Sequence, residues 1–158
     1  MPSIKKHRIT ELIKVPKGAR IGIIRALYNP DITDALLKSA LTELKRCGVT
    51  SANVTCLDVP GCFELPTVAE KQARSKKYTA LIALGCLIQG ETPHFDVIAK
   101  ACAHGIMQVS VMHALPVAFG VLTVNTTAQA RARIAGGRAG DKGVEAAQTA
   151  LRMIGLKI

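Results

Sequence analysis

Residues 80–98 run Ala-Leu-Ile-Ala-Leu-Gly-Cys-Leu-Ile-Gln-Gly-Glu-Thr-Pro-His-Phe-Asp-Val-Ile, and this junction of an apolar run with a short polar loop constrains the fold more than any other stretch. Ala80 to Leu84 predicts a buried strand, Gly85 and Gly90 predict a loop, and Thr92-Pro93 predicts an N-cap followed by a first-turn proline. A helix therefore starts at Pro93. The amides of a first helical turn have no intrahelical partner and carry partial positive charge, so the Gly90 to His94 corner is a natural seat for an anion. His94 lies in that turn, and histidine is the side chain that exchanges a proton near neutral pH. Most single histidines are nevertheless surface or structural residues, so position alone does not make His94 catalytic.

The rest of the chain alternates strand and helix. Arg20 to Leu27 reads as strand one and Tyr28-Asn29-Pro30-Asp31 as a turn. Ile32 to Cys47 carries Leu36, Leu37, Ala40, Leu41 and Leu44 at helical spacing and is closed by Gly48. Val54 to Val59 is strand two, Pro60-Gly61 a turn, and Leu65 to Ser75 a second helix. From Pro93 to about His113 the helix is apolar on nearly every side, and such a helix must be covered all round. One face can pack on the sheet; the other predicts a partner subunit. Val117 to Val124 is strand four, Thr127 to Ala135 a short helix, 136–143 a glycine-rich loop, and Val144 to Leu156 the last helix. The pattern predicts a three-layer α/β/α domain over residues 20–158, with a four-stranded parallel sheet and helices on both faces.

Composition narrows the function classes. Hydrophobic residues make up 49% and charged residues 20% of 158, with mean hydropathy +0.26, which predicts a globular domain with one substantial core. Charged residues interrupt every candidate membrane span, and residues 1–20 lack the apolar centre of a secretion signal, so a cytoplasmic protein without membrane partners is expected. Five cysteines, Cys47, Cys56, Cys62, Cys86 and Cys102, form no CxxC pair and suggest neither a zinc site nor a disulfide framework. Half of the +10 net charge sits in the first twenty residues, where Lys5, Lys6, Arg8, Lys14, Lys17 and Arg20 oppose Glu11. A basic arm over residues 1–19 follows. Such arms are more often solvated than specific, and with no interleaved aromatic residues nucleic acid is not an expected partner.

Ligands of a parallel sheet gather beyond the carboxyl ends of its strands. Three loops meet that rule: Tyr28-Asn29, Gly61-Cys62-Phe63-Glu64 and Gly85 to His94. Tyr28 offers a ring for stacking a heterocycle and Glu64 an acceptor for hydroxyl or amino groups, although a turn Tyr is usually packing and a Glu at a helix start usually a cap. Phe119 lies near the start of strand four, at the wrong end of a strand that rises roughly 23 Å. It is core, or it completes the site of a neighbouring subunit. Arg131, Arg133, Arg138 and Lys142 cluster about the glycine-rich loop, which suits an anion but lacks the order of a P-loop; a solvated helix end reads equally well.

With these residues assembled, the chain resembles the lumazine synthases over about Arg20 to Leu156. Five blocks in order carry the resemblance: Tyr-Asn-x-x-Ile-Thr at 28–33, Val-Pro-Gly-Cys-Phe-Glu-Leu-Pro at 59–66, Ala-Leu-Gly-Cys-Leu-Ile-Gln-Gly-Glu-Thr-Pro-His-Phe-Asp at 83–96, Pro-Val-Ala-Phe-Gly-Val-Leu-Thr at 116–123 and Gly-Asp-Lys-Gly at 140–143. The resemblance implies a flavodoxin-like fold and a transferase of riboflavin biosynthesis. It would condense 5-amino-6-(D-ribitylamino)uracil with 3,4-dihydroxy-2-butanone 4-phosphate to 6,7-dimethyl-8-ribityllumazine, releasing phosphate and water, without metal or cofactor. It further implies that Tyr28 stacks on the pyrimidine, that Cys62, Phe63 and Glu64 hold the ribityl chain, and that the backbone of Cys86, Leu87 and Ile88 meets the pyrimidine edge. Glu91 and Thr92 would bind phosphate through backbone amides, with His94 transferring protons. Phe119 and Arg133 would come from the adjacent subunit of a pentamer. Asn29, Gln89 and Lys142 are secondary candidates.

This sequence departs from the family pattern at Gln89, where Arg or Lys is usual, at Tyr28, where Phe or Trp is commoner, and at Cys62, where Ala is usual. Its 134–139 loop is one residue longer than in many relatives. Some lumazine synthases form icosahedral cages of twelve pentamers, so a decamer and a 60-mer stay open beside the pentamer, with riboflavin synthase as a candidate partner. Two other readings remain at this point: a flavin- or lumazine-binding homologue of weak catalysis, and a shell-forming protein.

Overall fold

The computed structural model describes residue 13 and residues 15–156, so the expected basic arm lies mostly outside the described residues. Four strands, β1 (Ile21–Ala26), β2 (Val54–Val59), β3 (Ala80–Ile88) and β4 (Val117–Val124), form one parallel sheet in the order β2-β1-β3-β4. The helices between them are α1 (Pro30–Arg46), α2 (Leu65–Ser75), α3 (His94–His113), α4 (Thr127–Arg131) and α5 (Lys142–Gly155), with short 3₁₀ turns at Ser51–Asn53 and Cys62–Glu64. The flavodoxin-like α/β/α architecture expected from the sequence is present.

Two apolar layers hold the sheet between its helices. Ile21, Ile23, Ile82 and Leu84 project to one face and pack with Leu36, Ala40 and Leu44 of α1 and Ala147, Ala150 and Leu151 of α5. Ile24, Leu81 and Ala83 project to the other, against Leu65 and Ala69 of α2 and Cys102, Ile106 and Val109 of α3. This alternation is the period-2 pleat of a strand buried on both sides. Each fully buried Leu or Ile contributes roughly 1.5–3 kcal/mol of transfer free energy, so the apolar runs alone commit the strands to the centre.

Element ends differ from expectation where caps were misread. β3 continues through Gly85 to Ile88, because its pairing with β4 extends to Ile88↔Val124; Gly85 is therefore buried strand, not loop. A Cβ there would lie 2.6 Å from Cys62 Sγ, which explains the glycine as clearance for a side chain. α3 begins at His94, one residue later than expected, with Pro93 as cap and no side-chain capping bond from Thr92. Pro30 opens α1 two residues before the expected Ile32, α4 stops at Arg131 instead of Ala135, and α5 starts at Lys142 because Asp141 Oδ1 accepts from the amides of Gly143 and Val144.

α3 buries only Cys102, Ile106 and Val109, while Val97, Met107, Val111 and Met112 are exposed, Val111 to 75%. Nothing among the described residues covers its apolar outer face. Among the described residues no helix is long and apolar enough to cross a membrane.

Candidate active site

The strand order reverses between β1 and β3, and a ligand crevice forms at such a switch point. Leu27 N donates to Val59 O at 2.9 Å, carrying the β1–β2 pairing one residue further, after which Tyr28 leaves the sheet with 73% of its surface exposed. Asn29 then adopts a left-handed conformation, φ 57° and ψ 60°, which asparagine tolerates better than most residues. Its Nδ2 donates to Cys86 O at 2.9 Å and so ties the β1 loop to β3.

Backbone direction accounts for that bond. Leu81 N donates to Pro116 O and Gln89 N to Val124 O, so odd-numbered residues of β3 bond to β4 and even-numbered ones turn toward β1. The β1 register ends at Arg25↔Leu84. Past that end the Cys86 carbonyl takes the Asn29 amide, and the backbone of Ile88 turns to the same side, beyond the last β1 pair. Of the predicted Cys86-Leu87-Ile88 edge, only Ile88 presents both backbone groups there.

The 3₁₀ turn after β2 supplies the second wall. Cys62 is buried, Phe63 is 57% exposed and Glu64 is half-buried. A Cβ on Gly61 would lie 3.1 Å from Glu64 Oε2 and 3.8 Å from the Tyr28 ring, so this glycine is where carboxylate and ring approach each other. Glu64 does not cap α2 with its side chain, contrary to the usual role of such a residue. Burial pushes the Cys62 thiol up to about 12, with the neighbouring Cys102 adding to it, and burial likewise raises Cys86 and Cys102 to about 11. Buried and protonated, these thiols serve as packing side chains.

The third wall is the approach to α3. Gln89, Glu91, Thr92 and His94 are exposed, and Gln89 Nε2 donates to Gly90 O at 3.3 Å. The first intrahelical donor of α3 is Val97, which bonds Pro93 O at 3.3 Å. The amides of His94, Phe95 and Asp96 thus keep no partner inside the helix, as an anion seat requires.

Phe119, Arg133 and Lys142 stand apart from these loops. They line a cavity of about 310 Å³ between the outer edge of β4 and α5, together with Glu145, Ala146 and Thr149, and none of its lining comes from the loops after β1, β2 or β3. Phe119 is 42% exposed and pairs with Ala83, five positions before Ile88, which is roughly 17 Å along the strand. Arg133 Nη1 donates to Gln129 O at 2.9 Å, Lys142 Nζ pairs with Glu145 at 2.6 Å, and Lys142 N donates to Arg133 O at 2.9 Å. The candidate residues therefore form two groups, an open crevice and a cationic edge. Sequence reasoning missed Glu145 and Thr149, although their spacing of four on α5 puts them on one helix face.

The description 6,7-dimethyl-8-ribityllumazine synthase belongs to the family model that matches residues 18–157. The chain belongs to that family. A 6,7-dimethyl-8-ribityllumazine synthase of Protochlamydia amoebophila (strain UWE25) is 47% identical over 138 residues, covering 87% of this chain and 80% of the relative. A protein of the same description from Desulfatibacillum aliphaticivorans is 46% identical over 140 residues, covering 89% and 90%. Membership makes the chain an enzyme, a transferase that forms 6,7-dimethyl-8-ribityllumazine in riboflavin biosynthesis.

Proposed function

We propose that the chain condenses 5-amino-6-(D-ribitylamino)uracil with 3,4-dihydroxy-2-butanone 4-phosphate in a site shared by two adjacent subunits of a homopentamer. The observation that carries the sharing is the separation of Phe119, Arg133 and Lys142 from the crevice of their own chain. In the crevice, Tyr28 stacks on the pyrimidine, the open backbone of Ile88 hydrogen-bonds its edge, and Phe63 and Glu64 hold the ribityl chain. The free amides at the start of α3, with Glu91 and Thr92, take the phosphate; Arg133 and Lys142 of the neighbour neutralise it, and Phe119 closes over the ring.

The chemistry follows from this placement. Imine formation, phosphate elimination and ring closure each move a proton, and His94 stands beside the anion seat to carry it. Holding the phosphate fixes the small ketone against the amine, which converts an encounter of two solutes into a step between neighbours. Gln89 is neutral at the strand end, so the neighbour's cations carry more of the phosphate's charge. The exposed apolar face of α3 supports the pentamer.

Purified protein mixed with both substrates is expected to produce a fluorescent lumazine and free phosphate faster than the spontaneous reaction. A rate equal to the blank would overturn catalysis, and tight product binding without turnover would favour a binding protein instead. Light scattering that returned a monomer would remove the shared site.

A further inference from the structure

α1 contributes nothing to the lining of the cationic cavity, yet it holds a set of buried polar side chains. Among the described residues, Thr33, Ser39 and Glu43 are the buried polar ones, with Ser39 8% exposed. Ser39 Oγ donates to Asp141 Oδ2 at 2.6 Å, and one turn along α1 the Glu43 carboxylate accepts from Gln148 Nε2 at 2.7 Å. These two bonds fix the register of α5 against α1. The seam leaves no slack, since a Cβ on Gly143 would lie 2.3 Å from Leu36 O and 2.9 Å from Ser39 Cβ.

Asp141 divides its carboxylate between two tasks. Oδ1 caps α5 by accepting from Gly143 N and Val144 N, while Oδ2 takes the Ser39 hydroxyl. The amide between them, Lys142 N, is not used by the cap and donates to Arg133 O. A continuous path therefore runs from Ser39 to the two cations at the β4 edge: hydroxyl, carboxylate, the Asp141–Lys142 peptide, and the carbonyl of Arg133.

We propose that Ser39 is a positioning residue, which through Asp141 sets where Lys142 and Arg133 present their charges to the substrate phosphate. Its hydroxyl bonds Asp141, which is not among the residues lining the cationic cavity, and it acts through the carboxylate it orients. The proposal rests on the reading that Arg133 and Lys142 hold phosphate.

The test compares Ser39→Ala, Arg133→Ala, the double variant and Gln148→Ala in steady-state kinetics with both substrates, and with inorganic phosphate as inhibitor. Ser39→Ala is expected to raise the KM for the butanone phosphate and the inhibition constant of inorganic phosphate roughly threefold to tenfold, the effect of one ordinary hydrogen bond. Its kcat and its KM for the pyrimidine stay near wild type. On the Arg133→Ala background the same change adds less than it does alone, because the two residues act on one contact. Gln148→Ala, which loosens the same seam two turns further from Lys142, lowers stability and leaves both phosphate constants in place.

Equal effects of Ser39→Ala in both backgrounds, or an effect of Gln148→Ala on the phosphate constants, would reduce Ser39 to a packing residue. So would an unchanged Ser39→Ala beside a damaged Arg133→Ala. An Arg133→Ala enzyme with normal phosphate constants would overturn the phosphate reading itself, and this proposal with it.

Discussion

His94 occupies the first position of α3, exposed, beside three amides that have no helical partner. Replacing it by Gln keeps size and hydrogen-bonding capacity and removes the titrating group. General acid–base catalysis contributes about 10²–10⁴-fold where a reaction depends on it, but in an exposed site water can carry part of the proton transfer. His94→Gln is therefore expected to lower kcat by roughly tenfold to a hundredfold, at or below the low end of that range, with little change in either KM; an unchanged kcat would remove His94 from the proton path. Cys62 gives a second test at this scale. With its thiol pushed up to about 12 by burial, only about one molecule in ten thousand is thiolate at pH 8. Maleimide at that pH is expected to label exposed Cys56 and spare Cys62, with activity retained, as peptide mass spectrometry would reveal. The residue types of the crevice were legible in the sequence because loops after strands are where such sheets bind ligands. Two helix-start residues were not read from the sequence: Asp141, which caps α5 with its carboxylate, and Asn29, which precedes α1 without a side-chain cap. Asn29 before Pro30, and Asp141 before Lys142, follow the rule for helix starts, yet both lie in runs that also read as turn or glycine-rich loop.

Among the elements, β3 shows where periodicity stops being informative. Its first five residues announce a strand, but Gly85 looks like punctuation, and only pairing with β4 shows that the strand continues to Ile88. A glycine inside a strand marks close approach as often as a break, and here the approaching atom is Cys62 Sγ. Gly85→Ala is expected to destabilise the fold by about 1–3 kcal/mol, the cost of overpacking a filled core. Combined with Cys62→Ala the penalty should largely vanish, since the next atoms, Ala26 Cβ at 3.4 Å and Val121 Cγ1 at 3.5 Å, are at or near ordinary contact distance. Urea unfolding of the two single variants and the double variant measures this coupling, and additive losses would refute it. Strands β2 and β4 and helix α2 were readable to the residue because turn or cap residues bound them on both sides. α4 was overextended because Arg133, Ile134 and Ala135 have adequate helix propensity, and only the chain's turn toward Lys142 N ends it.

At the scale of the whole molecule, the sequence indicated an uncovered helix and a stray aromatic, and the fold turns both into geometry. α3 presents Val97, Met107, Val111 and Met112 outward, and Phe119 sits with Arg133 and Lys142 on an edge that its own crevice does not share. On the proposed roles, Arg133→Ala loses a charge-assisted phosphate contact worth on the order of 1.5–3 kcal/mol, and His94→Ala loses the group proposed to carry the proton. If the site spans two subunits, these defects lie on opposite sides of every interface. Unfolding the two variants together and refolding them at equal ratio then places some chains with intact His94 beside chains with intact Arg133. Random assembly in a ring makes about one site in four complete, so the mixture is expected to recover about a quarter of wild-type activity. The variants refolded separately and then mixed serve as the control, because no assembly in them is built from both kinds of chain at the outset. A site confined to one chain predicts no recovery at all: every crevice would still carry one of the two lesions, whatever its neighbour.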